Sequence, residues 1–294
     1  MQPSEADPAP QTRLIDRVPP QFFIVGSALI QYIGAAIAVG LFTIMSPSEV
    51  AWWRILIAAA VLLVWRRPWR VGLTRADLIR SGIFGLAMTA MNMTFYQAIE
   101  YLPLGTAVSL EFIGPVSVAV LRGRGWAPRI AALFAFGGVV AIGGVGIDLS
   151  DPKVLIGVAW IMSAALMWAL YIVLGQHIAS QRSGITNLAV GSTIGALVTA
   201  PFFVSSVAVV AGDWTVFVAL LGVGVLSTVL PYSLEALAMS RVSASTFALF
   251  TALLPATSAL VGALMLRQIP GLGEVLGLVL ISVAVAITSR TPRR

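Results

Sequence analysis

Long apolar stretches separated by short polar ones organise this chain. From Phe22 onward, apolar residues dominate at 22–43, 47–65, 76–99, 103–121, 127–147, 154–176, 185–208, 214–236, 243–266 and 270–289. Most of these stretches approach the roughly 20 residues that a helix needs to cross about 30 Å of hydrocarbon. The pattern predicts an all-α membrane protein of ten transmembrane helices, joined by links often too short for any extramembrane domain. Residues 1–20 read differently. Pro3, Pro8, Pro10, Pro19 and Pro20 stand among Glu5, Asp7 and Asp16, with no apolar run and no small-residue cleavage site. This predicts a disordered cytoplasmic tail rather than a signal peptide.

Basic residues orient the spans, because Lys and Arg in short loops are retained on the cytoplasmic side. With the N-terminus inside, all 18 Lys and Arg except Lys153, Arg267 and Arg54 fall in cytoplasmic segments. Both termini are then cytoplasmic, the last residues 290–294 forming a short tail, and the number of spans is even. Laying one half over the other exposes a repeat. Ala28-Leu29 falls on Ala165-Leu166 at an offset of 137, Tyr96 on Tyr232 at 136, and Pro115 on Pro255 at 140. Five spans per copy is an odd number, so the second copy (151–289) enters the membrane from the opposite side to the first (21–150). Two inverted five-helix repeats are the architecture of many secondary transporters, whose substrate sits near the midplane where the halves meet.

Composition removes other classes. Hydrophobic residues make up 59% and charged residues 10%, with a mean hydropathy of +0.96, against about 25% charged in a globular domain. Zero cysteines and the single His177 exclude disulfides, thiolate metal sites and any pair of imidazoles. No metal or cofactor is expected. The net charge of +6 reads as a topology signal, with the bilayer rather than nucleic acid as the partner. No GxxxxGK[ST] motif or soluble domain is present to hold ATP, and no serine or acid has an evident intramembrane partner for enzymatic chemistry.

Glu111, near the middle of span four, carries most of the candidate chemistry. An acid there costs about 2.5 to 3.5 kcal/mol on insertion scales unless it faces a partner or water. It reads as a proton carrier or a ligand for a substrate ammonium group, or else as a hydrogen-bonding brace beside Pro115. Gly114-Pro115 in span four and Pro255 in span nine are candidate helix breaks or hinges, since each proline removes a backbone hydrogen bond. Arg54, in the outer half of span two, could bind a substrate carboxylate, pair with Glu111, or snorkel outward past Trp52 and Trp53. Glu235, toward the cytoplasmic end of span eight, is either a gate or a solvated end. Gln31, Asn92, Tyr96, Trp168, Tyr171 and Tyr232, with Ser227 and Thr228, offer a lining suited to a small polar or zwitterionic solute, or else interhelical packing. Gly191 with Gly195, and Gly273 with Gly277, permit close helix contact within the bundle or between copies.

The recurrence of Tyr and Pro in spans three and four and again in eight and nine resembles the EamA-type members of the drug/metabolite transporter superfamily, over essentially all of the chain after the tail. Leu102-Pro103-Leu104-Gly105-Thr106-Ala107-Val108, running into Leu110-Glu111-Phe112-Ile113-Gly114-Pro115, is similar to the bacterial threonine/homoserine exporter branch. So is the run from Leu226-Ser227-Thr228 through Pro231-Tyr232-Ser233-Leu234-Glu235, with Ser245-Thr246-Phe247. The resemblance implies an inner-membrane secondary exporter of small amino acids, proton-driven and working by alternating access. Its alternative is an exporter of another small metabolite or drug. The chain departs from the branch at Leu254, where Glu commonly precedes the proline, and at Arg267-Gln268, where Gly-Glu is common.

Overall fold

The computed structural model describes residues 20–70, 72–122, 125–142, 147–178, 184–239 and 253–289, with the side chains of 20, 21, 119, 175–178, 184, 235–239 and 288–289 outside that description. The regular elements among the described residues are helical. They are α1 (Pro20–Leu41), α2 (Pro47–Arg66), α3 (Arg75–Tyr101), α4 (Leu104–Glu111), α5 (Ile113–Arg122), α6 (Trp126–Ala141), α7 (Pro152–Ile178), α8 (Gly184–Phe203), α9 (Ser206–Gly212), α10 (Trp214–Gly224), α11 (Leu230–Met239), α12 (Leu254–Leu266) and α13 (Leu272–Ser289). A π-helical turn, Val225–Val229, joins α10 to α11, and a short 3-10 turn, Pro68–Arg70, follows α2. Among the described residues, six stretches are long and apolar enough to cross a membrane: Phe22–Leu41, Pro47–Arg70, Leu104–Arg122, Pro152–Leu174, Ile185–Phe203 and Trp214–Leu234. Leu121, Phe136, Phe202 and Leu264 point outward, as expected where lipid replaces water around the bundle.

Local sequence sets the helix ends. Ser46 caps α2 in a reciprocal box with Glu49, Pro47 occupies the first turn, and Arg67 ends the helix in the left-handed conformation at φ 45°. Thr74 and Asp77 form the same box at the start of α3, which stops at Leu102, the residue that Pro103 bars from helical geometry. Asp213 caps α10 by accepting from Thr215. Those hydrogen bonds, the side-chain one foremost, hold its carboxyl below the usual Asp range.

Several boundaries differ from the apolar stretches, each for a local reason. The stretch 185–208 divides, because α8 ends at Phe203 after the internal Pro201 and the Ser206 hydroxyl donates to the Phe203 carbonyl at 2.6 Å. The stretch 103–121 breaks at Phe112 between α4 and α5; Pro115 has no N–H for the Glu111 carbonyl four residues before it. In the stretch 127–147, α6 reaches Ala141, and residues 143–146 lie outside the described residues. In 243–266, residues 243–252 lie outside the described residues. Pro255 sits in the first turn of α12, where its missing N–H interrupts no hydrogen bond of that helix.

The helices pair in a regular way. α1 packs on α10, the π turn, α11 and α12, while α7 packs on α3, α4 and α5. α2 lies against α8, α10 and the π turn, and α8 also lies against α3. α4 meets α12, and α6 meets α13. Exchanging each element of the first half with the one in the same place in the second leaves these pairings unchanged.

Glycines allow the closest crossings. A Cβ on Gly85 of α3 would lie 2.0 Å from the Gly191 carbonyl oxygen of α8, and one on Gly195 would lie 2.2 Å from Thr89 Oγ1. On the other side of the bundle, a Cβ on Gly277 would lie 2.7 Å from the Gly138 carbonyl oxygen. Gly191, Gly195 and Gly277 thus serve contacts within this chain. A methyl at Gly85 meets immovable backbone, so Gly85→Ala should lower stability by about 1 to 3 kcal/mol through overpacking. Gly26→Ala and Gly40→Ala, where nothing lies within 4 Å of the new Cβ, should be neutral or stabilising by up to about 1 kcal/mol. Heat-unfolding midpoints of the purified variants in one detergent test the contrast.

Candidate substrate and coupling site

Pro231 lacks the N–H that would close a helical bond to the Ser227 carbonyl. The backbone accommodates it with a π turn, in which the Leu230 N–H donates to the Val225 carbonyl. An unsatisfied carbonyl in hydrocarbon costs several kcal/mol. Here Arg54 of α2 supplies the missing donor. Its Nη2 donates to the Ser227 carbonyl at 2.7 Å, and its Nε donates to Thr228 Oγ1 at 2.9 Å.

Close packing holds the turn in place. A Cβ on Gly34 of α1 would lie 2.2 Å from Ser227 Oγ, and one on Gly224 would lie 2.7 Å from Ile57 Cγ2 of α2. Ser227 Oγ donates to the Gln31 carbonyl at 3.4 Å, and Ser27 Oγ donates to the Pro231 carbonyl at 3.2 Å. The turn is therefore wedged between α1 and α2.

Arg54 is only 6% exposed and points into the bundle, so it does not snorkel to the interface. The tryptophans beside it are also tied inward: Trp52 Nε1 donates to the Ala196 carbonyl at 2.9 Å and Trp53 Nε1 to Ser206 Oγ at 3.0 Å. The guanidinium carbon lies 5.4 Å from the centre of the Tyr96 ring, a cation–π distance. Tyr96 is completely buried, and its hydroxyl has no hydrogen-bond partner among the described residues. Asn92, one helical turn before it, donates from Nδ2 to the Met88 carbonyl at 2.8 Å. Glu111, at the end of α4, is buried, and Arg54 is the charge that acts on it. No hydrogen bond or ion pair within contact distance joins the two.

The structure thus brings Arg54, Tyr96, Glu111, Ser227 and Thr228 into one neighbourhood and places the other candidates around it. Trp168 of α7 meets Phe112, at the α4–α5 break, edge to face at 4.8 Å, and Gly114 follows, where a Cβ would lie 2.1 Å from the Ala165 carbonyl oxygen of the same α7. Tyr171 stacks on Phe84 at 4.5 Å. With Tyr232 it packs against a separate apolar cluster of Leu62, Met88, Leu188 and Ala189. The Gln31 side chain is half-buried on α1. The side chains of Glu235 and His177 lie outside the described residues.

One acid was not singled out by the sequence reading. Glu274 in α13 is 8% exposed; it accepts from the Thr106 hydroxyl of α4 and, at 2.8 Å, from the Gly271 N–H. Nearby, the Leu104 N–H donates to Gln268 Oε1 at 2.9 Å. These bonds hold the start of α4 to the α12–α13 connection, at the end of the bundle opposite the Arg66–Arg75 link. The signal was the one that marked Glu111, an acid inside an apolar stretch.

Comparisons with known proteins agree with this architecture. The sequence pattern of the EamA-like transporter family matches residues 155–290. Over 239 residues the chain is 35% identical to the threonine/homoserine exporter RhtA of Salmonella typhimurium, covering 80% of this chain and 79% of that one. It is 32% identical over 251 residues to RhtA of Escherichia coli K12, covering 85% and 84%. An uncharacterized transporter of Archaeoglobus fulgidus is 24% identical over 255 residues, covering 84% and 90%. A solved crystal structure has a similar fold, with a TM-score of 0.56 at 17% identity, spanning 91% of this chain and 95% of that one.

Two substitutions separate an unused polar group from a structural one. Tyr96→Phe removes a hydroxyl with no partner among the described residues and should leave the unfolding midpoint unchanged or raised. Thr106→Val strips a donor from buried Glu274 and should destabilise by about 1 to 3 kcal/mol. Thermal unfolding of both purified variants beside the wild type checks this.

Proposed function

Because this chain belongs to the EamA-like transporter family, we propose that it is a proton-coupled secondary exporter of small amino acids such as threonine or homoserine, working by alternating access. That it is a multi-pass membrane transporter of small molecules, and not an enzyme, follows from the family itself. The finer reading is ten spans in two inverted five-helix repeats, 21–150 and 151–289, in the inner membrane with both termini cytoplasmic. The unchanged helix pairings on exchange of the halves and the one-sided arginines support it.

The observation that carries the substrate class is the presence of one buried acid and one buried base, Glu111 and Arg54, from separate helices of one neighbourhood. A lone charge there would suit an ion or an amine; opposite charges suit a zwitterion. In this reading Glu111 carries the proton, Asn92 and Tyr96 orient the solute, and Trp168 and Gln31 line its path. Tyr232 and Glu235 stand toward the cytoplasmic mouth, and the break at Gly114-Pro115 lets span four bend, whereas Pro255, in the first turn of α12, opens its helix instead of breaking it. Release outside requires the bonds from Leu104 to Gln268 and from Thr106 to Glu274 to part.

Uptake of labelled amino acids into proteoliposomes, with and without an imposed pH gradient, tests the proposal. Wild type should show saturable, gradient-stimulated transport and counterflow, and Glu111→Gln should keep exchange while losing the response to the gradient. If the folded wild type moves no amino acid but moves another metabolite or a drug, the alternative substrate class holds. Flux without saturation or exchange would indicate a channel instead.

A further inference from the structure

We infer that Arg54 is the specificity-determining residue for the carboxylate of the transported solute, and that the Ser227 carbonyl orphaned by Pro231 is the stand-in ligand it releases on binding. The inference rests on the amino-acid reading above and adds to it a ligand exchange.

The geometry leads there in steps. A guanidinium has five N–H donors in a planar fork matched to a carboxylate. In Arg54, Nε serves Thr228 and Nη2 serves the Ser227 carbonyl; the remaining N–H groups meet no acceptor among the described residues. Beneath the fork lies the Tyr96 ring, and the Tyr96 hydroxyl, fully buried, also lacks a partner among the described residues. A guanidinium 6% exposed and a hydroxyl with no partner are an incomplete polar set, and buried polar groups are normally satisfied. An anionic, planar acceptor completes it.

The bond that Arg54 makes to Ser227 is a neutral carbonyl contact, and a carboxylate is the stronger acceptor for a cation. Arg54 belongs to the first half of the chain and the π turn to the second, so the exchange releases one of the two bonds by which Arg54 links the halves. Thr228 keeps hold of Nε throughout and fixes the plane of the fork.

A double-mutant experiment distinguishes this role from a purely structural one. Pro231→Ala restores an N–H that can serve the Ser227 carbonyl within the helix, so the carbonyl no longer depends on Arg54. The probes are threonine and its amino alcohol, which lacks the carboxylate, assayed for uptake in proteoliposomes with the full chain. Wild type should favour the amino acid. Arg54→Gln should raise its KM by about tenfold or more, the worth of a hydrogen bond to a charged group, and leave the amino alcohol unaffected. Pro231→Ala should lower the KM for the amino acid, because the competing carbonyl is gone. The double variant, in which no carbonyl is left in need of Arg54, provides the folded background and should remain unable to discriminate.

Restored discrimination in the double variant would mean that Arg54 serves only the carbonyl, and would overturn the assignment. So would an Arg54→Gln protein that transports amino acids with discrimination intact. Failure of folded wild type to move any amino acid would overturn the functional reading itself, and this assignment with it.

Discussion

A carbonyl without a donor has no water to turn to inside a bilayer, and the arrangement around Ser227 follows from that constraint. Pro231 withholds the donor, the chain shifts into a π turn, and the residual demand is met from a different helix by Arg54. Because the donor is charged, burying it is costly in turn. Its fork is shared between a carbonyl and a hydroxyl, with an aromatic face beneath it and an acid within electrostatic range. One proline thus accounts for a buried arginine, and the arginine joins α2 to the turn between α10 and α11.

The rest of the bundle is held by contacts of another kind. Lipid tails are as apolar as leucine, so helices gain little from apolar burial alone and rely on close approach and polar links. The Gly85–Gly191 and Gly138–Gly277 crossings bring backbones nearly into contact. The Leu104–Gln268 and Thr106–Glu274 bonds tie one end of the bundle. Glycine crossings are insensitive to protonation and solute, whereas polar links are bonds for which another polar group can substitute. A transporter that moves between two states needs both: rigid pairs that travel as bodies, and a few bonds that can be broken without exposing hydrocarbon to water.

Gln268 has its own meaning in this scheme. The threonine/homoserine branch was expected to carry an acid there, and the neutral amide instead accepts from the first free N–H of α4. Glu274, six residues on, is the buried acid at this end of the bundle. Loss of an acid at 268 therefore leaves the region with a carboxylate already bound to Thr106.

Much of the architecture was legible in the sequence. In lipid every backbone group must be satisfied locally, so an apolar stretch of spanning length is bound to be a helix, and Pro115 marks where its bonding fails; Pro255, read as a second break, opens α12 instead, and the break at Pro231 was not singled out. Glu111 and Arg54 stood out for the same reason: charge is expensive in hydrocarbon. What the sequence could not decide was direction. Arg54 at the outer part of a span had three destinations, a substrate carboxylate, Glu111 or the interface, and the neutral acceptors it meets were not among them. Only the docking of α2 against α10, with Gly224 admitting Ile57 closely, turned it to Ser227 and Thr228. Likewise Tyr171 and Tyr232 recur at positions that suggested one lining, yet they pack on a cluster apart from Arg54. Helices are determined by local hydrogen bonding and hydropathy, which the sequence contains; which polar faces meet depends on rotation and crossing, which are set by contacts between residues as far apart as Arg54 and Ser227.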